Sequence, residues 1–360
     1  MPNYISRRKA LAAGAASTGM FLGASCAQKE QEGMETPLQT SNPPFLTPWS
    51  PPADLKRDLT PGSTPIRLAS WSSQTSLNYP KNLSITETVK RIRDMGYTSG
   101  NSSAGRNVRN PWLDASESEI RELKEALKTH DVTFFDVHTV TDNIHPDLSQ
   151  RQKNHKHVAE TCEAAERVGC PMVTTHTGTC STESPVAPHK DNWTWETWKL
   201  SVDGIRQILK DTSGMKVALG IEAVNMTASN NPRAHRQLID EIGDPRLNIC
   251  LDPVNMIHLG VYFRNTELIN ECFDLLGEHI IAAHAKDTYI TPDRMSAYIT
   301  EVAPGKGLLD YETYLVRLSR LSSPRTLLIE HIPDEEYPEA KKYIEDTAAK
   351  VGVTIYTELV

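Results

Sequence analysis

Four side chains with metal-ligating chemistry, Glu222, Asp252, His284 and Glu330, stand at or near the ends of short apolar runs. The runs read V-A-L-G-I-E, L-N-I-C-L-D, I-I-A-A-H-A-K-D and T-L-L-I-E-H. Each has the composition of a buried strand. The four residues follow one another at intervals of 30, 32 and 46 residues, the length of a strand, a helix and two loops in repeated βα units. A single acid at a strand end is usually a loop ion pair or a helix cap. Four on consecutive strands are a different matter, because gathered carboxylates raise one another's pKa and lose hydration together. A divalent cation would compensate them. Three oxygen ligands and one imidazole suit Mn²⁺, Co²⁺, Zn²⁺ or Mg²⁺ rather than Cu(I) or an iron–sulfur cluster. One such ion is therefore expected, held by all four.

The elements that must position these residues alternate eight times between strand and helix. Ile66 to Trp71 reads as the first strand, and Thr86 to Gly96 as a helix ending on Gly. Tyr97 to Asn101, short and polar, is taken as the second strand. Ser116 to Lys128 opens on a Ser-x-x-Glu cap and carries a stripe at Ile120, Leu123 and Leu127. Val132 to His138, a helix from about Ser149 to Val168, Met172 to Gly178 and a helix from Trp195 to Lys210 follow. The strand ending at Glu222 precedes the helix Pro232 to Gly243, with Pro at its start and Gly at its end. Helices from about Glu267 to Leu276 and from Tyr311 to Ser319 separate the last strands. No Gly-rich dinucleotide or phosphate loop follows any strand, so a single (β/α)₈ TIM barrel over residues 66–360 is expected. Function in such a barrel gathers at the strands' C-terminal ends. Alternation puts Glu222, Asp252, His284 and Lys286 on the inward faces.

Charge and the N-terminus bound the function further. Lys and Arg total 38 against 46 Asp and Glu, a formal net charge of −8, which argues against nucleic acid as a partner. Six cysteines, without a CxxC pair, predict one disulfide or none. S-R-R-K-A-L and the Ala/Gly-rich run after it, residues 1–27, form a twin-arginine export pattern, which predicts a periplasmic protein exported already folded. Cys26 in F-L-G-A-S-C resembles a lipoprotein box with Gly23 where Leu is usual. Acylation there would anchor the protein to the membrane, and cleavage near Ala27 would release it. Residues 28–65 read as a Pro-rich tether.

Further candidates surround the four. His138 and His176 end the third and fourth strands, with a substrate contact or second-metal role weighed against a structural hydrogen bond. Lys286 lies two residues after His284 on the same face and is assigned to substrate binding, with pairing to a metal carboxylate as the alternative. Trp112, Trp193, Trp195 and Trp198 lie in or beside active-face loops, as sugar-stacking rings or buried anchors. His258 is read as structural.

From Ile66 onward the chain resembles the xylose isomerase-like TIM barrels, in particular the sugar phosphate isomerase/epimerase group. The resemblance rests on I-E at Glu222, L-D-P-V-N at Asp252, H-A-K-D at His284 to Asp287, P-G-K-G-L-L-D-Y at Pro304 to Tyr311, and L-I-E at Glu330. It implies one metal held by Glu222, Asp252, His284 and Glu330, with Glu222 and Glu330 doubling as an acid/base pair on opposite faces of the substrate. At Asn255 the ketose 3-epimerases of the group tend to have a substrate-contacting His. Asn can hydrogen-bond there but cannot shuttle protons.

The expected enzyme is thus an isomerase or epimerase of an unphosphorylated sugar or keto-sugar, working through an enediolate. A carbon–oxygen lyase or hydratase of 3-keto-glycosides would use the same groups. An apurinic endonuclease relative would need more His ligands, and a non-catalytic carbohydrate-binding module would not need two glutamates. The expected partner is a small carbohydrate, with homo-oligomerisation left open.

Overall fold

The computed structural model describes residues 57–78, 83–104, 109–293 and 295–357. The export pattern, Cys26 and most of the tether lie outside them. Of the tether, residues 57–65 are described, and they make hydrogen bonds with the barrel. Thr64 N donates to Ser319 O at 3.1 Å and Arg320 Nε to Thr60 O at 2.9 Å. Gly62 is required at this dock because a Cβ there would stand 2.1 Å from Ser319 O.

Eight parallel strands form the nearly closed barrel: β1 (Ile66–Ser70), β2 (Ser99–Ala104), β3 (Thr133–Thr139), β4 (Met172–Thr175), β5 (Ala218–Glu222), β6 (Leu247–Leu251), β7 (Ile280–Ala285) and, after a hairpin of β8 (Asp287–Ile290) and β9 (Ile299–Val302), β10 (Arg325–Ile329). The order β1-β10-β7-β6-β5-β4-β3-β2 leaves β1 and β2 at the seam, where Thr98 N donates to Leu68 O at 3.0 Å. The outer helices are α1 (Ile85–Asp94), α2 (Pro111–Asp114), α3 (Glu117–Thr129), α4 (Leu148–Val168), α5 (Trp195–Asp211), α6 (Pro232–Ile242), α7 (Asn265–Leu276), α8 (Tyr311–Ser319) and α9 (Tyr337–Lys350).

Local chemistry accounts for the boundaries. Ser116 caps α3 and Glu119 returns the bond to the Ser116 backbone, and Ser84 with Glu87 does the same for α1. Ile85, Val89 and Ile92 then form the buried stripe of α1. Two strands differ from expectation. The second lies two residues later than its polar composition suggested, and its hydroxyls are satisfied by side chains: Ser99 Oγ lies 2.9 Å from Thr326 Oγ1, and Ser102 Oγ accepts from Asn110 at 3.0 Å. The fourth stops at Thr175, and His176 to Gly178 belong to the loop.

Strand alternation separates two apolar layers. Leu219, Ile221, Ile249, Leu251, Ala283, Leu327 and Ile329 join the large layer beneath the helices. Ala69, Phe135, Met172, Cys250, Ala282 and Leu328 fill a separate, smaller cluster within the barrel. Gly220 is needed in it, since a Cβ would come within 2.8 Å of Met172 Sδ. The carboxylates stand one pleat above this floor.

Candidate functional site

Glu222, Asp252, His284 and Glu330 converge at the C-terminal ends of β5, β6, β7 and β10, each 3% exposed or less. One potential ligand atom from each lies within 4.8 Å of all the others. His284 Nδ1 is 3.1 Å from Glu222 Oε1, 3.0 Å from Glu330 Oε1 and 3.9 Å from Asp252 Oδ2. Its other nitrogen, Nε2, lies 3.2 Å from Cys250 Sγ. Burial opposes charge on His284, but Cys250, Glu330 and Glu222 outweigh it and hold its pKa well above the usual value; a bound cation would take the place of the Nδ1 proton while Nε2 keeps its proton toward the sulfur.

Lys286, 1% exposed, lies just beyond β7, and its ammonium enters the cluster. Nζ is 2.7 Å from Asp252 Oδ2, 3.0 Å from Glu330 Oε1 and donates to Asn255 Oδ1 at 2.9 Å. The structure therefore places Lys286 on the metal-type carboxylates rather than on an open substrate face. Asn255 completes the bridge by donating to Glu222 Oε1 at 2.9 Å.

The electrostatics follow from burial and these contacts. Burial opposes charge on Lys286, but Asp252, Glu330 and Glu222 outweigh it and hold its pKa well above the usual value. Burial pushes Asp252 up to about 6, against the pull of the Lys286 ammonium, so the pair remains ionised at neutral pH. Burial likewise opposes charge on Glu330, yet His284 and Lys286 bring its pKa well below the carboxylate range.

The donor set fits a divalent cation. Three carboxylates exceed the positive charge of Lys286, and neither Asp252 Oδ2 nor Glu330 Oε1 accepts a well-directed hydrogen bond despite the nearby ammonium. Oxygens in that state are seats for a metal ion.

His138 and His176 reach the same place from β3 and the loop after β4. Each Nε2 lies 3.7 Å from Glu222 Oε2, and the two rings with Glu222 form a second group of possible ligands. Burial lowers the pKa of His138 to about 3, keeping it neutral. Trp71, after β1, meets His138 edge-on with ring centroids 5.1 Å apart.

Trp112 is corrected. Its ring is 1% exposed, its Nε1 donates to Leu77 O at 2.8 Å and it packs against Phe134, so it anchors a loop and offers no face to a sugar. Trp198 is buried in the same way, whereas Trp193 remains on the surface.

The hairpin was not legible beforehand, and it carries a residue that the strand pattern missed. Glu301 on β9 accepts from His331 at 3.0 Å and lies 3.7 Å from Lys286 Nζ. His331, directly after Glu330, has a left-handed backbone with φ 58°. Asp287 explains why H-A-K-D and P-G-K-G-L-L-D-Y occur together. Its carboxylate accepts from the backbone N–H groups of Thr288, Gly305, Gly307 and Leu309 at 2.8–3.1 Å, tying the loop to the end of β7. Tyr311 Oη then donates to Lys286 O at 2.7 Å and Tyr314 Oη to His284 O at 3.0 Å, fixing the strand end from below.

Beside the cluster opens a cleft of about 850 Å³, bounded by the loops after β5 and β6 and by the hairpin. Asn255 and Glu301 line both it and the approach to Lys286. His258, read as structural, lies on its wall.

Comparison with known proteins agrees with this architecture. A Planctomyces limnophilus xylose isomerase domain protein superposes with a TM-score of 0.58 at 16% identity, over 81% of this chain and 99% of that one. The IolI protein with a bound zinc atom gives 0.56 at 17% identity, over 79% and 98%. The 3-keto-D-glucoside 4-epimerase YcjR of E. coli gives 0.52 at 17% identity, over 80% and 99%. A dehydratase and an endonuclease IV share the fold as well. None of the curated proteins matches in sequence. The profile of the xylose isomerase-like TIM barrel matches residues 89–349, and the chain belongs to that family.

Proposed function

We propose that the protein is a divalent-metal-dependent isomerase or epimerase of an unphosphorylated sugar or keto-sugar, with Glu222 and Glu330 as its proton-transfer pair. The observation that carries this reading is the convergence of both glutamates on His284 Nδ1, at 3.1 and 3.0 Å, in a buried cluster with a surplus of negative charge. A cation held by Glu222, Asp252, His284 and Glu330 would acidify the C–H beside a substrate carbonyl by stabilising the enediolate. Glu222 takes or returns a proton at its carboxylate, and Glu330 serves the other face or the adjacent carbon. Asn255 keeps Glu222 in place through its amide, and Lys286 holds Asp252 and Glu330 in their ionised forms. Neutral His138, and His176 beside it, border the same carboxylate and bind substrate hydroxyls. Export by the twin-arginine route to the periplasm supports an unphosphorylated substrate.

A lyase acting on 3-keto-glycosides is the second reading, favoured by the cleft beside the cluster, which has room for a leaving group. Mn²⁺-loaded protein incubated in D₂O with keto-sugars and 3-keto-glycosides tests both. Deuterium enters the substrate carbon, with release of a group only for the lyase. In Glu222→Gln and Glu330→Gln the exchange falls by about 10²-fold or more. Exchange at the wild-type rate in both variants would refute the assignment.

A further inference from the structure

None of Glu222, Asp252, His284 and Glu330 lines the 850 Å³ cleft; it joins their cluster only through Asn255 and Glu301. Ligand pockets run from about 300 to 1,000 Å³ and enclose drug-sized molecules, so a lone sugar held against the carboxylates would leave most of this space unused. The walls are largely apolar, with Met226, Val254, Ile257 and Leu259 among them. Trp193 and Tyr298, 36% and 59% exposed, add aromatic surface from two different loops.

Charge in the cleft is already engaged. Arg233 Nε lies 2.6 Å from Glu271 Oε1, and Glu301 is bonded to His331. Arg233 is the single Lys or Arg among the described lining residues and its charge is balanced by Glu271, so the lining holds no surplus of positive charge for a phosphate or carboxylate and suits a neutral group.

We infer that the substrate is a glycoside whose reacting sugar sits at the carboxylate cluster and whose neutral aromatic aglycone fills this cleft against Trp193 and Tyr298. The inference rests on the sugar chemistry proposed above. An aromatic ring matches the lining better than a second sugar, because its faces need no hydrogen-bond partners in an apolar wall.

The test is isothermal titration of the Mn²⁺-loaded full chain with matched pairs of methyl and 4-nitrophenyl β-glycosides of several sugars. The aryl member of at least one pair binds about tenfold or more tightly than its methyl partner. That ratio falls toward one in Trp193→Ala and Tyr298→Ala, whose exposed side chains are not part of the core. Equal affinity within every pair overturns the cleft assignment and leaves the sugar reading standing. So does a preference unchanged in both variants. Binding of neither member of any pair overturns the sugar reading and the inference with it.

Discussion

Lys286→Met removes the buried ammonium that faces the carboxylate cluster while keeping a side chain of similar length and shape. At about 3 Å each of its two ionic contacts is worth roughly 5 kcal/mol at an effective dielectric of about 20, before desolvation is subtracted. Nζ is 2.7 Å from Asp252 and 3.0 Å from Glu330, and the side chain is 1% exposed, so this is the buried regime. Removing one partner of such a pair costs about 3–5 kcal/mol, because the charges left behind are not rehydrated. In a barrel of this size that corresponds to a fall in Tm of roughly 5–8 °C. Thermal unfolding of EDTA-treated wild type and variant measures it. Saturating Mn²⁺ supplies the missing positive charge and narrows the gap to less than half. A metal-free variant within about 1 kcal/mol of wild type, or a gap that Mn²⁺ leaves unchanged, would refute the view that Lys286 compensates these carboxylates.

Four other variants separate the contributions. Burial raises the Asp142 carboxyl from its ordinary value near 3.8 to about 6. Its protonated form is the one folding favours, so stability present near pH 4 is lost as pH rises to about 6. Asp142→Asn removes that decline and gains of order 2 kcal/mol on wild type between pH 4 and 7, read from urea midpoints. Asp287→Ala strips the acceptor from four backbone N–H groups and costs at least about 3 kcal/mol, with loss of activity from the untied loop. Cys250→Ala removes the sulfur beside His284 Nε2 and weakens Mn²⁺ binding by about tenfold in calorimetry, whereas Cys250→Ser, which restores an acceptor, binds nearer to wild type.

The barrel was legible because its signals are local. Apolar runs of strand length, helix caps at Ser116 and Gly243, and a period of two that turns Glu222, Asp252 and His284 inward depend on near neighbours alone. Polar β2 was the hardest strand to place because its hydroxyls are satisfied by partners up to 227 residues away. The hairpin of β8 and β9 escaped notice for a similar reason. Two short antiparallel strands on the rim have little apolar signature, and Glu301 acquires its meaning only when β9 brings it to His331 and Lys286.

Sequence by itself determined which residue types stand at the strand ends and on which face, since strand periodicity and βα spacing fix both. Only the tertiary structure decided what those side chains meet. It buried Trp112 as an anchor, set the Lys286 ammonium among the carboxylates, and opened a largely apolar cleft beside them. Side-chain direction is written in the local pattern, whereas burial, charge compensation and cavity shape are sums over elements far apart in the chain.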